Sequence, residues 1–199
     1  MMALPVGGIW LLASRAGVPL AGFYHPMTLL TGMHFHYAGL LMPTVVGLAG
    51  RLLPVPGAAN SASAPAYADT GWALYRVLGP AAALGPWLVA VGITVGGAAE
   101  AVGGSLFAAL LAAVAAVLLL RATPHVADPL GRALLILALL ATWPAMGLAA
   151  LYALSQAGLA ALSLETMALV LVHGPLLALG FAGGSLLALA RIRPAPRRP

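Results

Sequence analysis

The sequence predicts an all-α protein, a polytopic transmembrane helical bundle with five full spans plus a short N-terminal half-helix or extra span. Of its 199 residues, 62% are hydrophobic and only 7% charged, and the mean hydropathy is +1.04. A soluble domain of this size carries far more charge. The apolar runs are long enough to cross a hydrocarbon core, which takes about 20 residues. They lack the period-two alternation of strands, so helices are expected.

The apolar runs divide one transmembrane domain, residues 1–199, into its elements. The first run, residues 4–13, is too short to span and is expected to be a half-helix or part of a further helix. Residues 54–71 are rich in Pro, Ala, Ser and Gly, which predicts a flexible loop. Residues 191–199 form a basic tail. The five full spans are expected at about residues 28–53, 77–98, 103–120, 132–154 and 164–190.

The charges indicate topology and exclude a nucleic-acid partner. The chain has nine arginines and no lysine, and the arginines stand at the ends of apolar runs instead of forming a phosphate-binding face. Eight of them fall on one side of the predicted bundle, and only Arg15 falls on the other. By the positive-inside rule, loops 54–71 and 121–132 and the C-terminus are expected to be cytoplasmic. Arginine without lysine, in a chain rich in Ala and Gly, indicates a GC-rich bacterial genome. The expected location is the bacterial inner (cytoplasmic) membrane.

A cluster of polar side chains marks the outer half of the predicted bundle. The first span carries the sequence His34-Phe35-His36-Tyr37, and imidazoles in hydrocarbon usually have a functional role because burying them is costly. Glu100 lies at the outer turn between the second and third spans. Glu165 opens the fifth span, with His173 eight residues deeper. The candidate catalytic residues are therefore Glu100, Glu165, His34, His36, His173 and Tyr37.

Helical geometry limits how this cluster can work. His34 and His36 are two residues apart and point about 200° apart on a straight helix, so both face one ion only where the helix unwinds. His34 and Tyr37 share a face. A structural alternative stays open, because polar side chains in membrane bundles often only hydrogen-bond to neighbouring helices. Trp10, Trp72 and Trp87 are expected to be interfacial anchors.

Two segments resemble the YndJ-like family of bacterial multi-pass membrane proteins. The first is Leu30-Thr31-Gly32-Met33-His34-Phe35-His36-Tyr37-Ala38-Gly39, preceded by Leu11-Leu12-Ala13-Ser14-Arg15. The second runs from Met167 to Gly184 and includes His173-Gly174. The resemblance implies a helical membrane protein that is shortened at its N-terminus. It supports a role for His34, His36 and His173 and implies no particular chemistry.

The leading functional hypothesis is an intramembrane enzyme acting on a lipid-soluble small molecule of isoprenoid or quinone type. Burial in apolar surroundings favours a protonated glutamate, which could protonate an alkene or epoxide, and a histidine could take a proton back. Phe35, Tyr37 and Trp143 could shield a cationic intermediate. The enzyme would be a lyase or isomerase of the cyclase type, or an oxidoreductase. It needs no cofactor in this reading.

Three alternatives remain open. In the first, a haem, copper or zinc site forms through His34, His36 and His173, and nitrogen ligands are expected because the chain has no cysteine. The second is a small proton-coupled transporter with polar residues on kinked helices. The third is a purely structural or assembly protein. The expected partners are membrane lipids and a lipophilic small molecule, and a homo-oligomer is compatible with the sequence.

Overall fold

The part of the chain that the structure, a computed structural model, describes is mostly helical and comprises residues 2–54, 67–160 and 165–192. No strand occurs there, apart from an isolated bridge between Leu20 and Phe23, so the all-α prediction is confirmed. The helices are α1 (Ala3–Ala16), α2 (Met27–His36), α3 (Met42–Gly50), α4 (Tyr67–Val95), α5 (Ala98–Arg121), α6 (Pro129–Gln156), α7 (Thr166–Pro175) and α8 (Gly184–Arg191).

Two pairs of these helices are continuous. A π-helical segment, Tyr37–Leu41, joins α2 to α3, and a second one, Leu176–Gly183, joins α7 to α8. The described residues therefore form six continuous helices. Four of them are long and apolar enough to cross a membrane, over Thr70–Val95, Ala98–His125, Pro129–Gln156 and Thr166–Arg191.

Those four helices correspond to the second to fifth predicted spans. The predicted first span is the continuous α2–α3 helix, about 36 Å long at 1.5 Å per residue. It is not among the four, because His34 and His36 lower its hydropathy. Helix α1 is apolar but shorter than a span. The predicted loop 54–71 was wrong at its far end, since α4 already begins at Tyr67, just after the last proline of that stretch. Residues 55–66 and 193–199 lie outside the described residues.

Five arginines of the described residues lie at one end of the bundle, which we call the arginine end. Contacts between helix termini establish this arrangement: Gly50 of α3 lies against Tyr75 of α4, and Gly71 of α4 lies against the Arg121 side chain of α5. The start of α6 and the end of α8 meet through Asp128 and Arg191. The arginines at this end are Arg51, Arg76, Arg121, Arg132 and Arg191.

Asp128 fixes the junction of α6 and α8. Its carboxylate caps α6 by accepting a hydrogen bond from the Gly131 N–H at 2.9 Å, and it accepts another from Arg191 Nε at 3.0 Å. The hydrogen bond from Arg191, together with that from the Gly131 backbone, lowers the pKa of the Asp128 carboxyl below its ordinary value. The acid therefore stays ionised where it caps the helix.

The core is built from apolar side chains of α3, α5 and α6. Leu111, Leu118, Leu135 and Leu139 are fully buried together with Val45. A helix that carries apolar side chains on all its faces is buried against other helices or in a membrane. Across the α3–α4 boundary, the Tyr75 hydroxyl donates a hydrogen bond to the Val46 carbonyl oxygen.

Helices α1 and α2 form an antiparallel hairpin that stands beside this core. Gly17, with a φ of 67°, ends α1 in the left-handed conformation that glycine adopts readily. The helices pack closely through small residues: a Cβ at Gly7 would lie 2.6 Å from the ring of His36, and one at Gly32 would lie 2.7 Å from Leu11. The hairpin meets the rest of the bundle mainly through the π-helical segment Tyr37–Leu41. A cleft consequently remains between the hairpin and the bundle.

Candidate functional site

The cleft between the α1–α2 hairpin and the bundle is a cavity of about 850 Å³. It lies at the end of the bundle opposite to the arginine end. At this end α4 and α6 finish, and α5 and α7 begin. Its walls are mostly apolar and include many aromatic rings. Among the described residues, three charged or readily ionised side chains border it, His34, Glu100 and His173. Tyr37 also borders the cavity, so four of the six candidate catalytic residues line the same space.

His34 lies on the hairpin wall of the cavity. Its Nε2 atom is buried and has no hydrogen-bond partner, which is costly for an imidazole unless a ligand or a change of state satisfies it. The ring makes an edge contact with Phe35, with centroids 6.3 Å apart. Phe35 in turn packs on Trp87 of α4, with centroids 5.0 Å apart. These aromatic contacts hold His34 in place without satisfying its nitrogen.

His173 of α7 belongs to the bundle side of the cavity and has a defined orientation. Its Nδ1 is 2.8 Å from the carbonyl oxygen of Ala145 on α6. A carbonyl only accepts, so Nδ1 carries the hydrogen, and Nε2 of the neutral ring keeps its lone pair. His173 and His34 both line the cavity. Two imidazoles from different helices therefore face one apolar space.

Glu100 is placed by the turn between α4 and α5. Gly96 and Gly97 have φ angles of 78° and 56°, values that favour glycine, and they allow α5 to start immediately after α4. Glu100 follows in the first turn of α5. Its side chain is half-buried at the cavity. A carboxyl group is thus available on the same space as the two imidazoles.

His36 and Glu165, the other two candidates, do not border the cavity. The Nδ1–H of His36 donates to the Gly32 carbonyl at 2.7 Å, and the ring lies against Gly7 inside the hairpin. This follows from the spacing of two residues, which turns His36 away from the His34 side. Glu165 is exposed and directly precedes α7. Trp143 also lies elsewhere, with Nε1 donating to the Ala112 carbonyl.

The described residues contain no group of three His, Cys, Asp or Glu side chains that could hold a metal ion. In particular, His34, His36 and His173 do not converge, because His36 is held inside the hairpin.

Several wall residues have no counterpart among the sequence predictions. Tyr152 and Thr166 border the cavity and hydrogen-bond to each other at 2.9 Å, linking α6 to α7. Trp10 and Trp87, expected as interfacial anchors, also border it. A sequence signal existed for the tyrosine, since Tyr152 is a polar aromatic side chain within an apolar run. Its pairing with Thr166 depends on the fold.

Both helices that carry cavity histidines contain a π-helical segment. One begins directly after His36 and the other two residues after Gly174. Wide turns of this kind within α-helices are frequent at functional sites. Prolines adjoin both segments, Pro43 in the first turn of α3 and Pro175 at the end of α7. Since proline lacks an N–H, each helix has a break in its hydrogen bonding near the cavity.

A family model described as YndJ-like protein matches residues 1–181. The chain therefore belongs to the YndJ-like family, as the resemblance of its histidine segments implied. No curated protein matches the chain, and no solved structure does. The family description names no reaction and no ligand.

Proposed function

We propose that this YndJ-like protein is an intramembrane enzyme that uses histidine and glutamate side chains for acid–base chemistry on a lipid-soluble small molecule. One observation carries the proposal: His34, His173 and Glu100 border a single, mostly apolar cavity of about 850 Å³. Ligand cavities in proteins typically measure roughly 300–1,000 Å³ and combine apolar walls with a few polar groups. An isoprenoid or quinone-like molecule matches that size and those walls.

His173 is the better placed of the two histidines to act as the base. Its hydrogen bond to the Ala145 carbonyl fixes Nδ1 as the protonated nitrogen, which leaves Nε2 able to accept a proton. A fixed tautomer lowers the cost of orienting the ring during the reaction. His34, with its unpartnered Nε2, is a second proton acceptor or a hydrogen-bond donor to a polar group of the substrate.

Glu100 supplies the acid. In its protonated form it would give a proton to an alkene or epoxide of the substrate, and a histidine would remove a proton from a neighbouring carbon. The substrate gains one proton and loses one, so the reaction is an isomerisation or cyclisation without change of mass. Phe35 and Trp87, packed together at the wall, can stabilise a cationic intermediate with their ring faces.

The test compares lipid extracts from membranes of cells producing the wild type or single variants. We expect His173→Ala and Glu100→Gln to accumulate a compound that the wild type converts into an isomer of equal mass. The matched controls are His125→Ala, an exposed histidine at the other end of the bundle, and Glu165→Gln, an exposed glutamate. Both should behave as the wild type. Identical extracts from all five proteins would contradict the enzymatic function.

Haem binding is the second candidate, and one observation favours it. Histidines that bind metals usually donate their other ring N–H to a carbonyl or carboxylate, as His173 does to Ala145. A Soret band in the purified protein that disappears in His173→Ala would establish this function in place of the acid–base chemistry. A colourless protein would favour the enzyme.

A further inference from the structure

We propose that a groove between α3 and α4 is a binding site for an anionic phospholipid of the surrounding bilayer. The groove has a volume of about 450 Å³. It is separate from the histidine-lined cavity and independent of the function proposed for it. Its lining includes Val46, Gly47, Trp72, Arg76 and Gly79.

The groove has one polar end and one apolar end. Tyr75 lies against Gly50 and Gly79, so this part of α4 is level with the last turns of α3 at the arginine end. Deeper in the bundle the walls are Pro43, Pro80 and Ala83. A phospholipid has the same polarity, with a charged headgroup at the membrane surface and an acyl chain directed inward.

Two arginines provide charge complementarity at the polar end. Arg76 lines the groove itself and is exposed. Arg51 is also exposed and follows Gly47 by four residues, which places both on one face of α3. Basic side chains beside spanning helices at a membrane surface bind the phosphates of anionic headgroups. The half-buried indole of Trp72 stands at the same level, where tryptophan prefers the interface.

Two glycines, Gly47 and Gly79, keep the apolar part of the groove open. A Cβ added at Gly47 would have no atom within 4 Å, and one added at Gly79 would make only ordinary contacts of 3.6–3.8 Å with Tyr75 and Val46. Helices α3 and α4 are already joined by the hydrogen bond from Tyr75 to the Val46 carbonyl. Their packing therefore does not require side chains that fill the groove. An acyl chain can occupy it without displacing protein atoms.

The experiment is native mass spectrometry of the detergent-purified full chain, titrated with phosphatidylglycerol or, as the neutral comparison, phosphatidylcholine. We expect one phosphatidylglycerol to bind more tightly than any phosphatidylcholine. A basic side chain near an anionic lipid contributes about a fivefold effect, so Arg51→Gln with Arg76→Gln should weaken that first binding about 25-fold. Gly47→Leu, which fills the groove, should abolish the preference without a loss of folded protein.

Two controls separate this site from general attraction between charges. Arg132→Gln removes another exposed arginine from the same end, and Gly147→Leu fills open space on α6; neither should change the first binding. The proposal is overturned if the wild type binds the two lipids equally or if Arg132→Gln weakens binding as much as the groove variants. It is also overturned if Gly47→Leu has no effect or if a second copy of the chain occupies the groove as a dimer. The arginine variants test the site even where Gly47→Leu fails to fold.

Discussion

Replacing Gly7 by alanine should separate the α1–α2 hairpin, and the structure gives the magnitude. The new Cβ would lie 2.6 Å from His36 Nδ1 and 2.7 Å from Cε1, with the Gly32 carbonyl oxygen 3.1 Å away. His36 cannot turn aside freely, because its Nδ1–H donates to that carbonyl. Overpacking of this kind costs about 1–3 kcal/mol, and loss of the hydrogen bond adds about 1 kcal/mol.

Gly8 provides a matched control on the same helix. A Cβ at Gly8 has no atom within 4 Å, so Gly8→Ala should gain about 0.5–1 kcal/mol from the lower backbone entropy of the unfolded chain. Both variants share that gain. The difference in unfolding free energy between Gly7→Ala and Gly8→Ala therefore measures the contact alone, and we expect it to be about 2–4 kcal/mol.

The assay is reversible denaturation of the purified protein in detergent, with helicity followed by circular dichroism. The same substitution made in the His36→Ala variant identifies the contact partner. There the loss of unfolding free energy caused by Gly7→Ala should shrink to that of the smaller contact with the Gly32 carbonyl oxygen. If Gly7→Ala is as stable as Gly8→Ala, or if its penalty is unchanged without the His36 ring, the packing of the hairpin described here is wrong.

The remaining predictions concern the arginine end and the core. The hydrogen bonds that lower the pKa of Asp128 stabilise the fold above the unfolded-state pKa of about 3.9. That contribution should be lost as the pH falls through the lower folded-state pKa. Melting temperatures measured from pH 7 downward should therefore fall less steeply with pH in Asp128→Asn than in the wild type. In α6, Leu135→Ala should cost about 2–5 kcal/mol because Leu135 is fully buried. Leu137→Ala, at a 64% exposed position, should leave the unfolding free energy nearly unchanged, and equal effects of the two would contradict the assignment of the core.

Hydropathy alone identified the long helices, because each carries enough apolar side chains to be recognised without knowledge of its neighbours. The sequence predicted the region of His34 and His36 less completely. Their spacing correctly indicated opposite faces, and the structure shows one imidazole at the cavity and the other inside the hairpin. The same pair lowered the hydropathy of the helix, so it is not among the four with the composition of a span.

The cavity itself had no sequence signal of its own. It exists because the hairpin meets the bundle mainly at Tyr37–Leu41, which is a matter of packing between distant segments. The Tyr152–Thr166 pair and the bond from His173 to Ala145 likewise join different helices. The start of α4 was misjudged because the composition of residues 54–71 is typical of a loop, while α4 begins at Tyr67.

The most direct test of the account is whether the cavity holds a lipid-soluble molecule. Gly174 borders the cavity, and a side chain added there meets no atom within 4 Å, so Gly174→Leu should fill the space without a clash. Organic extracts of the purified protein would be compared by mass spectrometry with those of Gly147→Leu, an equally open position that does not border the cavity. We expect an apolar compound to be bound to the wild type and to Gly147→Leu and to be absent from Gly174→Leu. The same compounds at the same levels in all three proteins would contradict it.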